Sequence, residues 1–267
     1  MSYQKIKVAS DDGVTTITLS DPATLNALGT DMAGELLDAL KHAVMGEPAA
    51  RAILLTGEGR GFCSGANLSG GGGGGGGLDA DGKPDAGRAL ETVYNPLVTY
   101  IREMPVPLVT AVNGAAAGVG CSLALLGDLI VAGESAYFLQ AFRRIGLVPD
   151  GGSTYLLPRA IGRARAMEMA LLGEKVNALQ ALEWGLINRI APDDGLVETA
   201  MGFARALANG PASLGLSRQI LWASLDDDWA GQLHRERLAQ RTAGKTRDFT
   251  EGVSAFLQKR PAKFTGQ

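Results

Sequence analysis

The chain has 267 residues, of which 46% are hydrophobic, and its 25 basic residues nearly balance 28 acidic ones. A chain of this length can bury a sizeable core unaided, and the interspersed charges exclude the basic stripe that nucleic-acid binding requires. The longest apolar stretch, residues 123–132, is interrupted by Gly127 and Asp128 and falls well short of the ~20 residues of a membrane span. We therefore expect a cytoplasmic protein with no nucleic-acid partner and no membrane contact.

Alternating apolar and polar residues over positions 6–19, with a turn at 11–13, predict an antiparallel pair of strands. Apolar side chains at helical spacing then predict a helix that has Thr30 as its capping residue and ends before Pro48. Short β-rich runs at 52–56, 108–112 and 128–132 alternate with helical patterns. This alternation indicates an α/β core whose sheet is covered on both faces.

Beyond Pro149 the β pattern ends and helices are predicted. They cover residues 162–172, 178–184, 196–208, 211–224, 229–243 and 248–259. Such an extension commonly wraps its own domain or a neighbouring subunit. One segment has low complexity, because residues 70–77 are eight consecutive glycines. We interpret this run as a mobile loop or as a neutral insertion at a loop tip.

Several common kinds of site are excluded by the residues. Cys63 and Cys121 are far apart and lack a second thiol or a nearby histidine, so their spacing predicts neither a zinc site nor a disulfide. His42 and His234 fall in surface-like helical patterns, which leaves serine and cysteine triads without a base. The sequence has no P-loop and no G-x-S-x-G elbow. We predict that the protein uses no metal.

Two loops and one carboxylate remain as candidates for chemistry. Residues 56–68 leave a buried strand and place Gly65 and Ala66 where backbone N–H groups can stay unpaired. Residues 112–121 leave another strand and open a helix of small residues. Two strand ends with bare N–H donors can form an oxyanion hole. The carboxylate is Asp150, which either caps a helix that begins at Gly151 or acts on a substrate.

Four segments carry a resemblance to a known family. Residues 62–68, 112–118, 146–159 and 255–260 resemble, in that order, the motifs of the enoyl-CoA hydratase/isomerase (crotonase) family. The similarity covers nearly the whole chain, with the glycine run as an insertion. Within the family, the run 146–159 is most similar to the isomerase members that act on a phenylacetyl-CoA ring epoxide or on enoyl-CoA.

The resemblance implies an α/β fold, a spiral of ββα units followed by a C-terminal α-helical trimerisation region. We accordingly predict the core over residues 1–200 and the helical region over 201–267, with assembly into a homotrimer or a dimer of trimers. It also implies an acyl-CoA thioester as substrate, whose carbonyl oxygen would accept hydrogen bonds from the N–H groups of Ala66 and Val119. No cofactor is implied, because coenzyme A is part of the substrate.

The resemblance also implies substrate-binding positions. Those at the coenzyme A channel and the acyl group are Leu25, Ala27, Gly65, Asn67, Leu68, Gly118 and Phe142. Phe256 and Lys259 match tail positions that can meet coenzyme A bound to a neighbouring chain. The aromatic residues Phe62, Phe138, Phe142 and Tyr155 suit an aromatic or alicyclic acyl group, or are ordinary core.

The chain departs from the hydratase pattern at two positions. Hydratases of the family carry glutamates where this chain has Ser122 and Phe142, and neither residue can activate water at neutral pH. One acid suffices for an allylic proton shift, so we predict an isomerase with Asp150 as the proton shuttle. We expect apolar neighbours, among them Phe142 and Leu147, to raise the pKa of Asp150.

The sequence leaves other functions open. The same Asp150 can serve an acyl-CoA hydrolase or a dehalogenase as nucleophile or base. A hydratase with an unconventional second group, or a catalytically silent acyl-CoA-binding member, is also compatible with the residues.

Overall fold

The computed structural model describes residues 3–68 and 77–267. The strands are β1 (Ile6–Asp11), β2 (Val14–Leu19), β3 (Ala52–Gly57), β4 (Gly61–Cys63), β5 (Gly77–Leu78), β6 (Pro84–Asp85), β7 (Leu108–Val112), β8 (Ala115–Ala117), β9 (Leu129–Gly133), β10 (Tyr137–Leu139), β11 (Val176–Asn177) and β12 (Arg189–Ala191). The helices are α1 (Thr30–Met45), α2 (Asn95–Glu103), α3 (Val119–Leu125), α4 (Ser153–Leu172), α5 (Ala178–Glu183), α6 (Leu196–Ala208), α7 (Ser213–Ala223), α8 (Trp229–Ala243) and α9 (Arg247–Leu257). The predicted glycine loop lies outside the described residues, apart from Gly77.

The architecture is a stack of ββα units whose strands form two sheets. The larger sheet has the order β1-β2-β3-β7-β9-β12, and the smaller one has the order β11-β10-β8-β4. Three pairs of consecutive strands have one strand in the larger sheet and the next in the smaller sheet, and a helix follows each pair. These pairs are β3 and β4, β7 and β8, and β9 and β10. Both sheets are largely parallel, so the ends of β4 and β8 lie side by side.

Apolar packing explains why the central strands pair this way. All residues of β3 and β7 are buried, which is typical of parallel strands covered on both faces. One core cluster fills the space between the two sheets, α1 and α2, and a second lies between the larger sheet and α6. The predicted boundary at residue 200 falls within α6.

Three local predictions need correction. The region beyond Pro149 contains the short strands β11 and β12, which pair with β10 and β9. The predicted cap Thr30 is instead the first residue of α1, and Gly29 precedes the helix. The other predicted strands and helices are present to within a few residues, except that α4 begins nine residues before position 162 and is broken at Gly162. None of the described helices is both long and apolar enough to cross a membrane.

Candidate active site

The backbone at Ala66 is held in place by the segment at Leu28. The N–H of Leu28 donates to the carbonyl oxygen of Gly65 at 2.7 Å, and Leu28 and Ala66 form a parallel bridge. In a trans peptide the carbonyl and the next N–H point in opposite directions, so the Ala66 N–H points away from Leu28. It donates to no acceptor in residues 3–68 and 77–267. The end of this loop therefore presents an unpaired donor.

A second unpaired donor lies at the start of α3. The carbonyl oxygen of Gly118 accepts from the N–H groups of Cys121 at 3.0 Å and Ser122 at 3.2 Å. The Val119 N–H, on the opposite side of the same peptide unit, points out of the helix N-terminus. It has no acceptor in the described part of the chain. The partial positive charge of the helix N-terminus favours negative charge at this place.

Glycines bring these two donors together. Gly65 has a φ of +110° and Gly118 a φ of +55°, which are conformations that glycine tolerates. A Cβ on Gly65 would lie 3.0 Å from the Ala117 oxygen and 3.9 Å from Gly118 Cα. A Cβ on Gly120 would collide with the Cys63 carbonyl oxygen. The close approach of the two loops therefore depends on residues without side chains.

Asp150 lies beside the first turn of α3. Its carbonyl oxygen accepts from the Ser122 hydroxyl at 2.8 Å and from the Ser153 N–H at 3.1 Å. A Cβ on Gly151 would lie 3.2 Å from Val119 Cγ2, so the Asp150–Gly151 peptide packs against Val119. The structure thus packs the backbone at Asp150 against the residue that carries one of the two N–H donors.

The hypothesis that the Asp150 side chain caps a helix is wrong. Helix α4 begins at Ser153, the residue before it is Gly152, and no side-chain cap is present there. Gly151 and Gly152 have φ values of +58° and +84°, so the chain turns twice before the helix starts. The Oδ1 atom of Asp150 is buried and has no hydrogen-bond partner among the described residues.

Burial raises the pKa of Asp150 from 3.8 to about 6. The direction of the predicted shift is therefore confirmed. A carboxyl group with this pKa is ionised at neutral pH. Its pKa is also close enough to 7 for the group to take up and return a proton. An unpaired, desolvated carboxylate is costly to keep in a folded protein, which makes Asp150 a candidate functional group.

Tyr94 also belongs to this site, although the sequence analysis missed it. The ring is buried, and its hydroxyl donates to the Leu28 carbonyl oxygen at 2.7 Å. Burial first, and then the charge of Asp150, raises the pKa of the Tyr94 phenol to about 12. The phenol therefore lies near both Asp150 and the segment that holds Ala66. No local pattern singles out Tyr94, because its partner is 66 residues away.

The two positions at which the resemblance implies glutamates in hydratases are not acidic here, and both lie beside Gly118. Ser122 is fully buried, and its hydroxyl is engaged with the Asp150 backbone oxygen. Phe142 is 6% exposed, and its Cζ atom would lie 3.8 Å from a Cβ on Gly118. Neither of these two side chains can therefore supply a second acid.

The remaining predicted substrate-binding positions near the loops lie on two neighbouring segments, residues 25–28 and 64–68. Leu25 is half-buried, and its carbonyl oxygen accepts from the Ser64 N–H at 3.0 Å. Ala27 is buried, Asn67 is half-buried and Leu68 is 47% exposed. Residues 25–28 therefore run along the loop that carries Ala66.

The two predicted tail residues lie apart from these two segments. Phe256 is 83% exposed near the end of α9, and Lys259 is an exposed residue with a φ of +53° just beyond it. Within the described residues neither has a side-chain hydrogen bond to the site segments. Their contact with coenzyme A on a neighbouring chain stays a prediction.

Three of the four candidate aromatic side chains do not line the site. Phe62 and Phe138 are completely buried in the main core. The Tyr155 hydroxyl instead donates to Asp226 Oδ1 at 2.6 Å, at the surface where α4 meets the C-terminal helices. Phe142 packs against Gly118, in the second of the predicted oxyanion segments.

The two thiols are inert. Cys63 and Cys121 are free and buried, and burial raises their pKa values to about 11 and about 12. Among the described residues, no cluster of three or more His, Cys, Asp or Glu side chains could hold a metal ion.

A separate apolar cavity of about 520 Å³ lies between α4, β9 and α7. The charged groups on its wall include Arg218 and Asp128, which pair at 2.6 Å, and the Trp222 indole donates to Asp128 at 2.8 Å. Asp128 is therefore engaged by Arg218 and Trp222, in contrast to the Oδ1 atom of Asp150, which has no partner among the described residues.

Comparisons with known proteins agree with this fold. The profile of the family described as Enoyl-CoA hydratase/isomerase matches residues 9–267. The 1,2-epoxyphenylacetyl-CoA isomerase of Escherichia coli K12 is 46% identical over 96% of this chain and 97% of its own length. The 2,3-dehydroadipyl-CoA hydratase of the same organism is 33% identical over 97% of this chain and 98% of its own length.

Solved structures match equally completely. The crystal structure of an enoyl-CoA hydratase from Bacillus anthracis superposes with a TM-score of 0.90 at 28% identity, covering 99% of this chain and 100% of that one. The chain therefore belongs to the enoyl-CoA hydratase/isomerase family. It has the crotonase fold expected from the four motifs, and it is an enzyme of that family.

Proposed function

We propose that this enzyme isomerises acyl-CoA thioesters, by moving a double bond or opening a ring epoxide, with Asp150 as its one proton shuttle. The observation that carries the proposal is the buried Oδ1 of Asp150, which lacks a hydrogen-bond partner among the described residues. This carboxyl has a pKa of about 6, and the backbone that carries it packs against Val119. The reaction needs no resident cofactor.

The proposed double-bond shift has two proton transfers. The Asp150 carboxylate removes a proton from the α-carbon of a 3-enoyl thioester, and the electron pair moves into the carbonyl to form a dienolate. The N–H groups of Ala66 and Val119 stabilise the oxygen that gains this negative charge. The protonated acid then returns the proton to the γ-carbon, which yields the 2-enoyl thioester and restores the carboxylate. No atom is gained or lost.

The surroundings of Asp150 favour this reaction over hydration. Water addition needs one group to activate water and a second to handle the proton at the α-carbon. Ser122 is bound to the Asp150 backbone oxygen, and Phe142 has no proton to exchange. The Tyr94 phenol donates to Leu28 and has a pKa of about 12, so it stays protonated at neutral pH.

The comparison with the Escherichia coli 1,2-epoxyphenylacetyl-CoA isomerase supports the same class of reaction, because it is 46% identical to this chain. We propose acyl-CoA thioesters with an unsaturated or epoxidised ring as substrates beside linear enoyl chains. We further propose that α7, α8 and α9 join copies of the chain into a trimer, since α8 has no buried residue in the described chain.

Liquid chromatography that separates the isomers, followed by mass spectrometry, tests the proposal with a panel of acyl-CoA thioesters in 18O-labelled water. Isomerisation leaves the product mass unchanged, hydration adds one labelled water, and hydrolysis releases free coenzyme A. We expect products of unchanged mass, and we expect Asp150→Asn to abolish them while the affinity for coenzyme A thioesters is retained. The matched control is Asp194→Asn, which removes an exposed carboxylate and should leave turnover at the wild-type level.

The other outcomes identify the competing functions. Incorporation of labelled oxygen into the acyl chain would identify a hydratase, and released coenzyme A a hydrolase. Equal, very slow turnover by the wild type and Asp150→Asn over the whole panel would identify a binding protein. Any of these results would refute the proposed isomerase.

A further inference from the structure

The Tyr94 hydroxyl forms a buried link between the entry to α2 and the loop at Leu28. Tyr94 is the last residue of a π-helical turn, Leu90–Tyr94, that leads directly into α2. Such turns are rare and occur frequently at functional sites. The side chain is 3% exposed, and its hydroxyl donates to the Leu28 carbonyl oxygen at 2.7 Å. A well-formed hydrogen bond thus ends on a segment that touches the proposed oxyanion loop.

Leu28 contacts the peptide groups on both sides of Ala66. Its N–H donates to the Gly65 carbonyl oxygen at 2.7 Å, and its own carbonyl oxygen accepts from the Asn67 N–H at 3.4 Å. The second of these bonds is long, so the Tyr94 hydroxyl is the closer donor to the Leu28 carbonyl. The direction of the Ala66 N–H follows from the Gly65 carbonyl, because both belong to one planar peptide unit.

We propose that Tyr94 is a positioning residue, whose hydroxyl holds Leu28 and thereby aims the Ala66 N–H at the thioester oxygen. The inference rests on the proposed function, since it assigns that oxygen to Ala66 and Val119. Tyr94 acts on the reaction through the backbone and exchanges no proton with the substrate. Small displacements of an oxyanion donor matter because its contribution depends on the distance to the oxygen that gains charge.

The charge of Asp150 does not disturb this hydrogen bond. Burial, followed by the nearby Asp150 carboxylate, raises the pKa of the Tyr94 phenol to about 12. The phenol therefore keeps its proton throughout the range in which Asp150, with a pKa of about 6, changes its charge. The donor to Leu28 persists in both charge states of the proposed base.

The test combines steady-state kinetics with the infrared spectrum of a bound thioester. Cinnamoyl-CoA labelled with 13C at the carbonyl is the probe, because it has no γ-hydrogen and cannot undergo the double-bond shift. We expect Tyr94→Phe to move the carbonyl stretch of the bound probe from its red-shifted position toward the value in free solution. We also expect kcat for an isomerisable thioester to fall about tenfold, part of the 10²–10³ that one oxyanion donor contributes. KM should change by less than about twofold.

The pH dependence of kcat/KM should keep its limb near pH 6 in Tyr94→Phe, because Asp150 is untouched. Tyr100→Phe is the matched control. Tyr100 is a half-buried tyrosine on α2 whose hydroxyl has no hydrogen bond to a described residue, so its removal should change neither the spectrum nor kcat. If Tyr94→Phe does not fold, 3-fluorotyrosine at position 94 replaces it. This side chain keeps the ring and provides a more acidic hydroxyl, so the red shift should become larger.

An unchanged carbonyl stretch in Tyr94→Phe, or with fluorotyrosine at that position, would overturn the inference, whatever happens to kcat. This failure is distinct from a failure of the proposed function. In the latter case the wild-type protein would show no red shift of the bound probe, or Asp150→Asn would retain turnover.

Discussion

Replacing Asp150 with asparagine should abolish turnover and also stabilise the protein. The change keeps the size of the side chain and removes the negative charge and the base. A positioned general base contributes about 10²–10⁴ to a rate, so we expect kcat to fall by at least about a hundredfold. Loss of activity alone would not separate a catalytic acid from a structural one, so the effect on stability carries the stronger test.

The magnitude follows from the pKa of Asp150, which rises from 3.8 to about 6 on burial. At 1.36 kcal/mol for each tenfold change, ionising this carboxyl in the folded state costs up to about 3 kcal/mol. The side chain is only partly buried, so solvent screening reduces the figure to about 1–2 kcal/mol. Above pH 6 the group is ionised in both folded and unfolded states, and the full cost is present. Below pH 3.8 it is protonated in both states, and the cost is absent.

Urea unfolding at a fixed protein concentration measures this difference. We expect the gain in unfolding free energy of Asp150→Asn over the wild type to be about 0.5–1 kcal/mol larger at pH 8 than at pH 5. Asp194→Asn, which removes an exposed carboxylate, should show no such dependence. A variant that loses stability at pH 8, or whose gain is larger at the lower pH, would contradict the assignment of Asp150 as a desolvated, unpaired acid.

Three further predictions address the same structure. Because Asp150 must be ionised to act as a base, kcat/KM should fall about tenfold per pH unit below pH 6 and stay level above it; a limb near pH 4 would contradict this. Gly151→Ala should lower kcat by about tenfold or more, since its Cβ would lie 2.8 Å from Ser122 Cβ. Gly152→Ala, with a similar positive φ and open space around it, should retain most of the activity, and equal losses would refute the clash. Arg218→Met should lower the unfolding free energy by about 3–5 kcal/mol, because it leaves Asp128 without its buried partner. The kcat of the folded variant should stay near the wild-type value, and an unchanged urea midpoint would contradict the prediction.

Local sequence was enough to predict the central part of the fold. The runs that became β3, β7 and β9 are almost wholly apolar, because parallel strands covered on both faces have no solvent side on which polar residues could alternate. Helices α1, α6 and α8 were predicted from helical spacing and lie close to the expected bounds. The four family motifs also predicted the crotonase fold, and the comparisons confirm it.

Short elements that depend on distant partners were not predictable in this way. Strands β11 and β12 have two and three residues and exist because β10 and β9 offer them free edges. Strands this short have too few residues for any alternation to be recognised. The helical prediction beyond Pro149 therefore missed both.

The sequence by itself determined which residues could do chemistry here, since one acid and two glycine-rich strand ends remained after the other motifs were excluded. Only the tertiary structure decided the surroundings of Asp150. Its turn through Gly151 and Gly152 leaves Oδ1 buried and without a hydrogen-bond partner among the described residues, and the side chain does not cap α4. Folding likewise placed the Tyr94 hydroxyl on the Leu28 carbonyl oxygen, which is 66 residues away along the chain. Protonation and hydrogen bonding depend on neighbours in space, and one-dimensional spacing does not specify those neighbours.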